Sequence, residues 1–366
     1  MNQRLLIFLW FVALIFSLSR CDSVFKEDKV IIDSVAFQKL SDYHFFTGDI
    51  RLLEPSKELV PYGLITPLFT DYAHKARFLY MPKDKSVDYN DKDVLDFPIG
   101  SCLIKNFYYQ NDERDSLKGR RIIETRLLIH RTAGWEALPY IWNDEQTEAF
   151  LKLGGGDKKV SWIDMHGQSM SVNYSIPNKN QCKGCHWNNG ELTPIGPKIR
   201  NLNFKLNYPD GSYRNQLDKW ASLGILKKLS CPATSPLSAK WDDSTTESIQ
   251  DRAIAYLENN CGHCHRNEGP AATSGLILTT LERNPTKLGI FKTPIAAGIG
   301  SVGALYDIVP GQPDSSILYL RMNSIHPGIM MPELGRHLIH VEGVALIRAW
   351  ILSMDPEAPL VFHDEE

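Results

Sequence analysis

The sequence predicts an α+β multidomain chain: an N-terminal antiparallel β-rich domain, sandwich or barrel-like, over residues 30–230, followed by an all-α domain over residues 240–357. Three observations predict it. At 366 residues the chain is long enough for two cores, since domains usually run to roughly 100–200 residues. From about Tyr43 to Ile176, short β-branched and aromatic runs are broken by Pro, Gly, Asn and Asp. Helical periodicity is clearest toward the C-terminal end, before Cys261 and from Val341 to Met354.

The elements follow in chain order. Arg4 precedes the apolar run Leu5 to Leu18, which is short for a membrane span and leads into the polar Asp22-Ser23 and Lys26-Glu27-Asp28-Lys29. That is the pattern of a cleaved secretory signal over residues 1–21. Leu18-Ser19-Arg20-Cys21 also has the outline of a lipobox, which would make Cys21 a lipidation site; Arg20 departs from it, because a small residue usually stands there. The expected location is therefore outside the cytoplasm, in the periplasm or on a lipid anchor facing the periplasm or cell surface. Contact with the membrane would come only through signal or anchor.

Ala76 to Met81, Leu95 to Tyr109, Ile122 to His130 and Lys159 to Met165 read as strands. Period-two alternation of Ile123, Thr125, Leu127 and Ile129 against Glu124, Arg126 and His130 predicts one buried and one wet face. Gly154-Gly155-Gly156-Asp157 reads as a turn between strands. Further on, Leu217, Trp220, Ala221 and Leu223 share one face of a helix within Asn215 to Leu226. Ser244-x-x-Glu247 reads as a capping box opening a helix whose stripe Ile249, Ala253, Tyr256 and Leu257 runs to Cys261. The closing helix carries Val344, Ile347 and Ile351 on one face.

Two pentapeptides carry the chemistry. Cys182-Lys183-Gly184-Cys185-His186 and Cys261-Gly262-His263-Cys264-His265 each match the Cys-x-x-Cys-His signature of c-type haem attachment. Two thiols one helical turn apart take up the haem vinyl groups, and the next imidazole ligates iron. A zinc site made by the two Cys pairs is the competing reading. It does not require the His after each second Cys, and the pairs lie far apart in the chain. Two haems are thus the expected cofactors, with His186 and His265 as metal ligands. Met331, before Pro332, is the expected distal ligand at the second motif, ahead of Met330 and Met322. At the first motif His130, Met165, His166 and Met170 are the candidates, and none stands out. His263 reads as a spacer. Cys102 and Cys231 remain, either as a disulfide, which an oxidising compartment permits, or as two separate thiols.

The C-terminal Cys261 to His265, Pro310-Gly311-Gln312-Pro313, Ser316-Ile317-Leu318-Tyr319, Met331-Pro332-Glu333-Leu334-Gly335 and Ile347-Arg348-Ala349-Trp350-Ile351 resemble the cytochrome c domains of bacterial quinoprotein dehydrogenases. The resemblance implies a cytochrome c-like fold for residues 240–357. Thr66-Pro67-Leu68-Phe69-Thr70-Asp71-Tyr72-Ala73, Ile123 to Leu128, Gln181 to His186 and Pro194 to Asn203 resemble an uncharacterised family of exported bacterial dihaem cytochromes. Its members are often encoded beside a parallel β-helix repeat protein. What this implies is an electron carrier serving redox donor and acceptor proteins, with that β-helix protein as a further partner.

Three functions follow in order. The first is an exported dihaem c-type cytochrome passing single electrons, a carrier rather than a catalyst. The second is a dihaem peroxidase-like enzyme with an open first haem, where His130, His166 or Glu191 would serve as acid and base. The third is a non-redox surface lipoprotein binding protein or glycan through Trp135, Tyr140 and Trp142, which at this spacing fit a core better. A formal net charge of −3 with no basic run argues against nucleic acid as a partner.

Overall fold

The β-rich half is organised by a single open sheet. In the computed structural model, which describes residues 35–295 and 297–360, its first elements are β1 (Leu59–Tyr62), β2 (His74–Tyr80), the short β3 (Val87–Asp88), β4 (Cys102–Gln110), β5 (Arg120–Arg131), β6 (Gly134–Trp142) and β7 (Ala149–Leu151). The order β1-β2-β4-β5-β6-β7 makes six strands, every neighbouring pair antiparallel. β8 (Gly156–Ile163) and β9 (Ser169–Ile176) form a separate antiparallel hairpin; the turn expected over Gly154 to Asp157 falls at Leu153-Gly154, and Gly156 and Asp157 already pair in β8. The proposed signal and Cys21 lie outside the described residues.

Both faces of the sheet are covered, so the predicted wet face of β5 is not wet. Phe78, Ile104, Leu127 and Leu138 pack under the N-terminal residues Leu40, Phe45, Phe46 and Leu53. The opposite face carries Leu79, Leu103, Leu128 and Ala137 against Cys182, Ile199, Leu202, Leu217 and Trp220. Farther along that face, Phe107 packs with Val160, Trp162, Val172 and Tyr174 of the hairpin. Glu124 therefore lies fully buried and bonded to Arg126 at 2.5 Å and to the Tyr174 hydroxyl at 2.6 Å. The alternation along β5 identified two faces correctly, but not the elements that cover the second. Tyr140 and Trp142 are core residues, which leaves no exposed aromatic face with Trp135.

The helices are α1 (Lys179–His186), α2 (Ile199–Leu202), α3 (Gln216–Ser222), α4 (Ile249–Asn260), α5 (Ile317–Met322) and α6 (Val341–Ser353). The expected all-α cytochrome c-like domain over residues 240–357 is not formed: the described chain is dominated by antiparallel strands, and this stretch holds three helices in mostly irregular backbone. The reason lies between Cys261 and Ser316. Turn-forming Gly, Pro, Asn and Ser interrupt every apolar run there, so the backbone makes short 3-10 turns such as Gly298–Ser301 and Pro313–Ser315. α4 also starts later than predicted, because Ser248, not Ser244, accepts the Asp251 N–H as its N-cap.

What holds this stretch together is the packing of α4 on α6, with Tyr256, Leu257, Ile347, Trp350 and Ile351 in one core. Gly343 is required at the crossing, since a Cβ there would lie 2.4 Å from the Tyr256 hydroxyl. The stretch is also bonded to the β-rich half. Asn260 Oδ1 accepts the Phe69 N–H at 2.7 Å, Asp71 accepts those of His337 and Leu338 at 2.7 Å, and Lys198 meets Glu258 at 2.6 Å. Among the described residues no helix is long and apolar enough to cross a membrane.

Candidate functional site

The two pentapeptides, remote in sequence, meet in space. α1 begins directly after the hairpin with Asn178 as N-cap in a capping box with Gln181, so the first motif forms its own short helix. The second motif begins at Cys261, the C-cap of α4. Its Gly262 is dictated by packing, because a Cβ would lie 2.5 Å from the Leu278 carbonyl oxygen. Cys264 Sγ reaches the Gly184 carbonyl at 3.5 Å, and the Asn189 N–H donates to the Glu268 carbonyl at 3.0 Å. Cys185, His263 and Cys264 each offer a ligand atom within 4.8 Å of the others.

The imidazoles that end the motifs are set in the same way. His186 Nδ1 lies 2.7 Å from the Thr193 carbonyl oxygen. A carbonyl only accepts, so Nδ1 carries the proton and Nε2 keeps its lone pair. His265 Nδ1 lies 3.1 Å from Ser274 Oγ, whose own proton goes to the Ala271 carbonyl at 2.7 Å. Ser274 therefore accepts, and Nε2 is again the free nitrogen. Burial lowers both imidazoles to about 4, which keeps them neutral near pH 7. A neutral imidazole held by Nδ1 with a free Nε2 is the form that ligates a metal.

The thiols are not equivalent. Cys182 sits in the core beside the sheet, and Cys261 in the core beside α4; burial raises both, Cys261 to about 12. Cys185 and Cys264 instead face each other. The Cys264 proton has the Cys185 sulfur and the Gly184 oxygen as acceptors, and donation to sulfur, helped by His263, holds Cys185 below the usual thiol range. A cavity of about 250 Å³ opens beside this pair, lined in part by Trp135, Asn188, Thr193, Asp93, His263 and Arg266. Arg266 and Asp93 meet at 2.6 Å across its wall. Each motif keeps its two thiols and one oriented Nε2 on a single turn, while the donors that the fold gathers in one place are Cys185, His263 and Cys264, drawn from both motifs. Haem attachment at both would turn the hydrogen-bonded Cys185 and Cys264 into separate thioethers.

The remaining predicted residues are scattered. Met331 lies beyond α5, partly buried, its N–H bonded to the Arg321 carbonyl at 3.0 Å and its carbonyl to Arg336 at 3.0 Å; Met322 is core. Met165 and His166 are exposed on the turn between β8 and β9, and Met170 packs in the hairpin core. His130 donates Nδ1 to the Phe97 carbonyl at 2.7 Å and stacks on Trp135. Glu191 is exposed on the two-residue strand Glu191–Leu192. Cys102 is buried in the sheet core while Cys231 is exposed, and both are free thiols. His263, read from sequence as a spacer, is instead a member of the cross-motif cluster, with Nδ1 buried and unpartnered among the described residues. Only its place inside a motif could have drawn attention to it.

No protein-family model matches the chain, and comparison with curated proteins and with solved structures finds no match.

Proposed function

We propose that the chain is an exported dihaem c-type cytochrome that passes single electrons between redox partners. The observation that carries this reading is the matched setting of His186 and His265, each neutral, each held at Nδ1, each following a Cys-x-x-Cys pair on one helical turn. When bound, haem supplies a one-electron Fe(III)/Fe(II) couple. The chain anchors it through Cys182 with Cys185 and Cys261 with Cys264, orients each imidazole, and excludes water from Cys182, Cys261 and His265, all buried. Met331 would supply the thioether sulfur at the second motif, which would raise the potential.

A second reading is favoured by the Cys185, His263 and Cys264 cluster, whose two thiols and one imidazole suit a zinc ion acting as a staple. One experiment separates them. The full chain is made with a c-type haem maturation system and assayed for metal and for covalent haem by its reduced visible spectrum. Two haems per chain, with two one-electron steps in a redox titration, are expected. Zinc with no covalent haem would overturn the cytochrome reading. Carbon monoxide added to the reduced protein then tests coordination: indifference fits transfer, whereas binding at one haem reopens the peroxidase-like reading and points to the His186 site.

A further inference from the structure

Three strands of the main sheet place Arg77, Lys105 and Arg126 side by side, directly paired across β2, β4 and β5. Lys75 lies two residues from Arg77 on the same face. Only Arg126 has a carboxylate, the buried Glu124. Arg77 is 8% exposed and its Nη2 is buried with no partner, and no ion pair reaches Lys75 or Lys105 among the described residues. Three cations thus share one strip in which Arg77 is buried without an ion pair, while the half-buried Lys75 and Lys105 feel Asp71 and Glu124 only at a distance. Buried charges are ordinarily paired, since each one left alone loses its hydration without a partner to replace it. The mismatch shows in their titration: burial first, then mutual repulsion, takes Lys75 down to about 7 and Lys105 well below its usual value.

The strip also has an address. The next row on that face, Leu79, Leu103 and Leu128, packs on Cys182. We infer that Arg77, Lys105 and Lys75 form a binding site for a carboxylate-bearing ligand at the first motif. Arg77 offers a planar fork for a bidentate carboxylate, and the lysines supply point charges beside it. The carboxylates come either from the side chains of a haem held at Cys182 and Cys185, in which case the inference rests on the proposed function, or from a free dicarboxylate.

The experiment measures thermal unfolding of the full chain and of Arg77→Leu, with succinate titrated at constant ionic strength and haem content determined separately. If haem carboxylates fill the site, wild type ignores succinate and Arg77→Leu unfolds several degrees lower only in the haem-loaded form. If a free dicarboxylate fills it, wild type gains several degrees with succinate and Arg77→Leu gains none. Lys105→Gln should weaken either response in the same direction. The inference is overturned if wild type ignores succinate while Arg77→Leu unfolds at the same or a higher temperature with haem and without it, because the cations would then be an uncompensated burden. Haem content decides the proposed function independently, so failure of one is not failure of the other.

Discussion

The two Cys-x-x-Cys-His motifs are nearly the same peptide on different mounts. The first is a self-contained eight-residue helix capped by its own neighbours and set on the end of a β-hairpin. The second hangs from the C-terminus of α4, a twelve-residue helix packed on α6. Their imidazoles reach the same state by different means, one through a backbone carbonyl and one through a serine hydroxyl. The lesson is that such a motif encodes a local turn and its donors, while neighbouring elements decide how firmly each donor is held.

The largest effect should come from removing one mount's thiols. Cys182→Ala with Cys185→Ala, or Cys261→Ala with Cys264→Ala, should each halve the covalent haem count; a loss of both haems from either pair would show that the motifs do not load separately. Next comes a pair of glycines. Gly262→Ala drives a Cβ into the Leu278 carbonyl and should cost about 3 kcal/mol, the upper range for overpacking. Gly184→Ala meets only Leu334 at 3.4 Å and should stabilise α1 by up to about 1 kcal/mol through helix propensity. Chemical denaturation of both variants checks the opposite signs.

Acid should then loosen the second mount first. His340 bonds the Tyr256 hydroxyl of α4 at 2.9 Å and stacks on Phe69, and burial lowers it to about 4. Its folded value lies below the unfolded one, so its contribution is present above pH ~6.5 and is lost as pH falls from there toward 4. The shift amounts to about 3 kcal/mol. Hydrogen exchange at α4 should rise over that window before exchange in the main sheet does, and His340→Gln should flatten the dependence. The smallest effect separates the two imidazole anchors. Ser274→Ala deprives His265 of its acceptor, weakens the imidazole as a donor, and should raise one of two midpoint potentials. Thr193→Ala leaves a backbone carbonyl in place and should move neither.

The fold was legible wherever one period dominated. β5 and α6 were predicted nearly to the residue, because Leu127 and Ile129 alternate and Val344, Ile347 and Ile351 keep helical spacing. The all-α C-terminal domain was not, because the turns between Cys261 and Ser316 carry no period, and only contacts such as Tyr256 on Gly343 organise them. At the site, His186 and His265 could be named from their place after two cysteines. His263 and Arg77 could not: a residue between two cysteines and a cation on a strand read as solvent-facing when the elements that bury them come from far along the chain.

Local chemistry is therefore what the amino-acid order determined by itself: the donor types, their spacing, the strand and helix periods, and the turn glycines. These depend on neighbours within one or two helical turns. Tertiary structure alone decided that the motifs meet through Cys185, His263 and Cys264, that both faces of the main sheet are covered, and that Arg77 lies without a counter-charge. Each of these depends on residues tens of positions apart being brought together, and burial and electrostatics act through space, not along the chain.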